Sequence, residues 1–369
     1  MEIKIPFFDY SALFRSHEEQ LIKIFSSVAE KGAFIMQDEL DEFEDNLANY
    51  LNIKYVLGVG NATDALEMLL KASGIGLNDE IIFCSHTMVA TASAIKSTGA
   101  RPVAVEAGDD HLIDPESIRA AITENTKGIM PTQLNGRISK MDEILEIAKS
   151  FNLKVFEDSA QALGAKYKGK YAGSFGEGGC ISFYPAKILG CFGDGGAMVT
   201  NNQETYEKIK LFRDHGRSNN NEVTVWGFNS RLDNLQAAIL NYFFQSFDQT
   251  VARRREIAML YNNSLEGIQR LKLPPKPNDT KDNFDVFQNY EIEAEDRDTL
   301  KQYLENYGIG TMIQWGGKGV HQFRELGFKE SLPNTELIMK RSLMLPLNNF
   351  ITNDEVEYVA ETIRGFYAL

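Results

Sequence analysis

Cysteine is scarce in this chain: Cys84, Cys180 and Cys191 are the only three in 369 residues. They are odd in number, sit in apolar or glycine-rich surroundings and lack metal-ligand spacing. A disulfide framework is therefore set aside, no metal is assigned, and free thiols in a reducing compartment are expected. Long apolar runs are missing too. No stretch reaches the roughly 18 apolar residues of a membrane span, and the opening MEIKIPFFDY lacks the apolar core of a signal peptide. The expectation is a cytoplasmic protein with no membrane association. Basic charge is in deficit, with 38 Lys and Arg against 52 Asp and Glu and a net charge of -14. That balance argues against nucleic acid or an anionic membrane surface as a partner. An anionic substrate must then be met by a local group of cations or backbone amides. Internal repeats and low-complexity tracts are also lacking.

What is present is ample core material, since 43% of the residues are hydrophobic. Residues 16–51 carry apolar side chains at helical spacing (Leu21, Ile24, Phe25, then Leu40, Phe43, Leu47, Leu51) and predict two helices about a turn at Gly32. Short apolar strands follow: YVLGVG (55–60), EIIFCS (80–85), RPVAVE (101–106), GIMPTQ (128–133), KVFEDS (154–159) and CISFYP (180–185). They alternate with helical stretches such as DALEMLLKAS and SKMDEILEIAKSF, which predicts a doubly wound α/β domain with a mostly parallel sheet. From Arg231 to about Ile268 the spacing is helical again, and LPPKPNDTKDN (273–283) reads as a linker. VFQNYEIEAE, DRDTLKQYLENYG and DEVEYVAETIRGFYAL then predict a smaller C-terminal α+β domain. The expected division is 1–245 for the N-terminal helices and large domain, and 246–369 for a long connecting helix and the small domain.

Ligands of parallel α/β sheets sit outside the C-terminal strand ends, so polar residues just after apolar runs are the first candidates. GVGNATDALEMLL (58–70) is a strand, a turn and a helix start, where exposed amides, the helix dipole and the Thr63 hydroxyl suit a phosphate. A capping role for Asn61 or Thr63 explains it equally well. The same turn nearly matches a dinucleotide fingerprint, but the third glycine is replaced by Thr63. In VFEDSAQALGA (155–165), Asp158 ends a strand, where a carboxylate can keep a bound heterocycle's ring nitrogen protonated; Gln161 follows. In SFYPAKILGCFGDGGA (182–197), Lys187 stands among small residues where desolvation would lower its pKa toward that of a nucleophile, and Ser182 can donate to a phosphate. A phosphate cradle, a ring-nitrogen carboxylate and a reactive lysine are together what pyridoxal phosphate requires.

EDSAQALGAKYKGKYAGSFG followed by SFYPAKILGCFGDGGAMVTN resembles the signature of the sugar aminotransferases of the DegT/DnrJ/EryC/StrS type, pyridoxal-phosphate enzymes with the aspartate-aminotransferase-like fold type I. The resemblance implies a pyridoxal 5'-phosphate cofactor linked to Lys187, which would also move the proton between the substrate carbon and the cofactor. It implies that Asp158 pairs with the ring nitrogen, that Gln161 contacts the ring or its 3-oxygen, and that Thr63, the Asp64 amide and Ser182 hold the phosphate. GFNSRLDNLQAAIL (227–240) looks like the family segment in which an asparagine, here Asn229, reaches the phosphate in the neighbouring subunit. A homodimer with shared active sites is thereby implied. The implied reaction moves an amino group from L-glutamate to the C3 or C4 keto group of a nucleotide-linked deoxysugar, for surface polysaccharide or glycoconjugate synthesis.

Three segments depart from the family pattern. Met88 stands where an aromatic residue usually covers the cofactor ring, with His86 a possible substitute; a thioether also packs on ring faces. QLNGR (133–137) has Asn135 in place of an aromatic residue. QWGGKGVHQ (314–322) replaces the usual substrate loop, and its expected contacts are Trp315 stacking on a base or sugar, Lys318 (or Arg217) pairing with a diphosphate, and His321 bonding a sugar hydroxyl. The alternatives are an NAD-dependent oxidoreductase resting on GVGNAT, a non-catalytic regulatory or binding homologue, and a sugar dehydratase on the same scaffold. Lys187 favours transamination.

Overall fold

The computed structural model describes residues 3–218, 220–278 and 281–368. Residues 1, 2 and 369 of the expected terminal segments, and residues 279 and 280 of the expected linker, lie outside that range.

Seven strands form the large sheet: β1 Tyr55–Val59, β2 Glu80–Cys84, β3 Arg101–Val105, β4 Thr126–Met130, β5 Lys154–Asp158, β6 Gly178–Ser182 and β7 Gly196–Thr200. Their order is β1-β7-β6-β5-β4-β2-β3. Only β7 runs against the others, pairing antiparallel with β1 and β6. Apolar side chains leave each strand on two sides, as the near-continuous runs require of a sheet covered on both faces. Ile82 and Ile129 enter one core with Phe43 and Leu47, while neighbouring Ile81 and Phe83 enter the other with Leu66 and Leu69.

The first two helices are Tyr10–Lys31 and Asp38–Leu51, and Gly32 ends the first in a left-handed conformation at φ 64°. Ala62–Ala72 follows β1, with Asn61 as its cap, and Val89–Ser97 follows β2. The long helical span resolves into Asn234–Phe244 and Phe247–Leu265. The second passes between cores: Phe247 and Val251 pack with the large sheet, whereas Ile257, Tyr261 and Leu265 belong to a third cluster. That cluster covers a small antiparallel sheet, β8 Leu271–Lys272, β9 Tyr290–Ala294 and β10 Ser342–Leu345, in the order β8-β9-β10.

The two parts interlock. Ile5 is buried in the third cluster and bridges Ile309, so the chain start packs with the small sheet. Val320, Phe328 and Leu332 return to the large-sheet core. Asn283–Phe284, at the end of the expected linker, pairs with Lys166–Tyr167.

Candidate active site

Asp158 ends β5 at the centre of the sheet. Its backbone is fixed on one side by Asp158 N–H donating to Pro131 O at 3.0 Å, and by its own carbonyl accepting from Gln133 N–H at 2.8 Å. Its buried carboxylate meets donors only. Thr91 Oγ1 donates to Oδ2 at 2.6 Å, while the Ala160 amide (3.2 Å) and the Cys180 thiol (3.5 Å) donate to Oδ1. Thr91 is itself held in a hydroxyl chain, with Thr87 2.9 Å from Thr91 and 2.9 Å from Thr132. Burial, reinforced by the Asp158 charge, pushes the Cys180 thiol well above its usual range, so it stays a donor.

Lys187 lies five residues beyond the end of β6 and makes no ion pair among the described residues. Desolvation lowers its amine to about pKa 8, against the opposing pull of Asp158. A groove of about 220 Å³ beside it is lined by Tyr10 and Leu13 of the first helix and by Arg254 and Asn349.

The third component is the turn after β1. Asn61 accepts the Asp64 amide at 2.9 Å, so the amide expected to hold a phosphate caps the helix in this structure. The Ala62 and Thr63 amides of the same first turn have no protein acceptor among the described residues, and they point with the positive end of the helix dipole. Ser182 pairs in register with Gly196, and a Cβ on Gly196 would lie 2.5 Å from Asn61 C and 2.6 Å from Ala62 N. This glycine therefore lets β7 press against the helix start, bringing Ser182 to the same turn. The Gly60 amide donates to Ser230 Oγ at 3.0 Å, and Ser230 donates to Asp64 Oδ2 at 2.6 Å. Asn229, next in the chain, is exposed and accepts from Arg231, whose guanidinium also pairs with Asp214.

Gln161 accepts the Asn135 amide at 2.9 Å, leaving its Nε2 free to donate. Asn135 owes its identity to its backbone, which is left-handed at φ 56°. Its Oδ1 accepts from Asn289 and Gln314, each at 2.8 Å, tying the large sheet to the small one. Met88 is 53% exposed at the start of the Thr91 helix. His86 is buried, its ring 5.9 Å from that of Trp315 in an edge-on contact. In QWGGKGVHQ, Trp315, Gly316 and Gly317 are all left-handed, at φ 47°, 69° and 72°. Lys318 is exposed, and Arg217 pairs with Asp214 at 3.6 Å. His321, expected to bond a sugar hydroxyl, is turned inward in this structure. It is fully buried, with Nδ1 2.6 Å from Ser85 Oγ and Nε2 3.1 Å from Glu336, so neither nitrogen is left for a ligand.

The sequence profile of the DegT/DnrJ/EryC1/StrS aminotransferase family matches residues 15–364. The chain belongs to this family. Among similar relatives, the pleiotropic regulatory protein of Geobacillus stearothermophilus is 38% identical over 99% of each chain. The dTDP-3-amino-3,6-dideoxy-alpha-D-galactopyranose transaminase of Aneurinibacillus thermoaerophilus is 37% identical, covering 98% of this chain and 99% of that one. Of solved structures, Streptomyces venezuelae DesV superposes with a TM-score of 0.95 at 33% identity over 100% of both chains. NtdA from Bacillus subtilis, solved with bound cofactor PMP, gives 0.92 at 30% identity over 100% of this chain and 86% of that one.

In this aminotransferase the residues that hold Asp158 escaped the sequence reading. Thr91 lies in a helix whose facing strand end is 67 positions away. Cys180 is the register partner of Asp158 across β5 and β6, a pairing that the order of two strands would have disclosed.

Proposed function

We propose that this aminotransferase moves an amino group from L-glutamate to the C3 keto group of a nucleotide-linked deoxysugar, as a cytoplasmic homodimer serving surface-glycan or glycoconjugate synthesis. The observation that carries it is Lys187, a desolvated amine with a lowered pKa and no ion-pair partner among the described residues, close to a strand-end carboxylate surrounded by donors. The C3 position and the dTDP-linked substrate class draw on the Aneurinibacillus relative, whose name specifies a 3-amino dTDP-sugar.

The residues present fit pyridoxal 5'-phosphate. Asp158 would pair with the ring nitrogen, the open amides of Ala62 and Thr63 with the Thr63 and Ser182 hydroxyls would hold the phosphate, Gln161 Nε2 would donate to the 3-oxygen, and Met88 would pack on the ring. When bound, the cofactor supplies an electron sink for the charge left when a proton leaves the amine-bearing carbon. Asp158 would keep the proton on the ring nitrogen, and Thr91 and Cys180 hold the carboxylate in orientation. With the cofactor bound, Lys187 Nζ would be the base that takes the proton from the amine-bearing carbon of glutamate and the acid that delivers a proton to the former keto carbon of the sugar. Trp315 and Lys318 offer a stacking face and a cation to the nucleotide. Asn229 serves the partner subunit's phosphate, in keeping with the exposed apolar residues near it in the chain.

The purified protein should show an absorption band near about 400 nm that moves on adding glutamate and is missing in Lys187→Ala. Amination of a panel of nucleotide-linked 3- and 4-ketosugars then separates the two positions. A colourless protein that pyridoxal phosphate cannot reconstitute would falsify the proposal.

A further inference from the structure

His86 at the end of β2, His111 in the loop after β3 and Glu291 in β9 come from three separate stretches, yet their ligand-type atoms all lie within 4.8 Å of one another. Among the described residues His86 Nε2 and Glu291 Oε2 have no partner at hydrogen-bond geometry, although His86 is 1% and Glu291 4% exposed; the Asn135 side chain approaches the Glu291 carboxylate. His86 Nδ1–H donates to the carbonyl of His111 at 3.1 Å. That bond fixes the tautomer and leaves a lone pair on Nε2, 3.8 Å from Glu291 Oε1. A buried acceptor facing a carboxylate is unsatisfied by any described residue, and such groups are costly to leave so. His111 is held left-handed at φ 68°, which turns its ring between Glu291 (Nδ1, 2.6 Å) and Glu293 (Nε2, 2.8 Å).

We propose that His86 Nε2, His111 Nδ1 and Glu291 bind one divalent cation of the zinc class, clasping the large sheet to the small domain beside the substrate loop. Two imidazoles and a carboxylate are the donor set of borderline ions rather than of magnesium or calcium. Tetrahedral bonds of about 2.0–2.1 Å place ligand atoms about 3.3 Å apart, so small rotations suffice. As the ion binds, the proton on His111 Nδ1 leaves to solvent and the close Nδ1–Glu291 contact opens.

The outer shell is already built. His111 Nε2–H donates to Glu293, which pairs with Lys272 at 2.8 Å, and His86 Nδ1–H has its carbonyl. Three protein ligands leave one position for water, and His111 and Glu291 both line a cavity of about 300 Å³. Because the Trp315 ring leans on His86, the ion would stiffen the wall on which that loop rests.

The test is equilibrium dialysis of the purified holoprotein against zinc, with metal counted per chain, together with anomalous diffraction from zinc-soaked crystals. One zinc per chain is expected in the wild type, at least tenfold weaker retention in His86→Gln and Glu291→Gln, and an anomalous peak between the three side chains. Zinc should raise the unfolding temperature of the wild type and not of His86→Gln. Retention unchanged by His86→Gln overturns the proposal, as does an absence of any peak at the cluster. Should a variant fail to fold, the wild-type crystal decides alone. Because none of these three readouts uses activity, failure here leaves the aminotransferase assignment standing.

Discussion

Lys187 is half-buried, with its amine desolvated in a way that disfavours its own charge. Its pKa of about 8 in the folded protein, against about 10.4 for a free lysine, corresponds to about 3 kcal/mol. Below pH 8 the folded protein bears that full penalty. Between pH 8 and about 10.4 the unfolded chain binds more protons, so stability rises with pH, and above that range the penalty is gone. Cofactor-free Lys187→Met should therefore be more stable than the wild type by about 2–3 kcal/mol at pH 7 in urea unfolding, with the gain fading toward pH 10.4. Equal stability at pH 7 would show that the amine is solvated. Thr91 acts on the same centre through Asp158. Thr91→Val removes the 2.6 Å donor and should lower kcat about tenfold, the equivalent of 1.4 kcal/mol, whereas Thr91→Ser should restore it. A fall seen equally in Thr91→Ser would assign the loss to packing instead.

Among the elements, the start of β7 is where glycine has a definite task. A methyl group at Gly196 would meet backbone atoms of Asn61 and Ala62, which cannot withdraw as a flexible side chain can. Gly196→Ala should displace the helix start and weaken pyridoxal phosphate retention about tenfold on dialysis, with a stability loss of about 1–3 kcal/mol in thermal unfolding. Retention at the wild-type level would mean that the turn does not hold the phosphate. The same position explains what sequence reading reached and what it did not. Six strands announce themselves as apolar runs, but β7 opens on the glycines of GDGGA, which supply no apolar run to mark it. The placement of Asp158 and Ser182 at strand ends, with Lys187 just beyond, was legible because strand ends are a local property. The engagement of His321 with Ser85 was not, since 236 positions separate them and only the folded chain shows the ring nitrogens already taken. Asn135 was legible as a departure but not as a left-handed residue that joins two sheets.

At the scale of the molecule, the proposed second copy has a candidate face. Trp226 is 98% exposed and Val223 67%, in the segment that ends at Asn229. Phe34, Ile35 and Met36 are exposed as well, and Ile35 bridges Asp233 just beyond that segment. An indole left in water forgoes about 1.5–3 kcal/mol that burial would return, and a lone chain gains nothing from presenting it there. If these residues meet a second chain, that contact delivers Asn229 to the neighbouring site, and catalysis depends on assembly. Trp226→Glu should shift the protein toward monomer in sedimentation velocity while its circular dichroism stays unchanged, and pyridoxal phosphate binding should weaken together with the loss of dimer. Raising the protein concentration should recover both in parallel. A variant that remains dimeric would place the subunit contact elsewhere; one that becomes monomeric and binds cofactor as before would separate Asn229 from the phosphate.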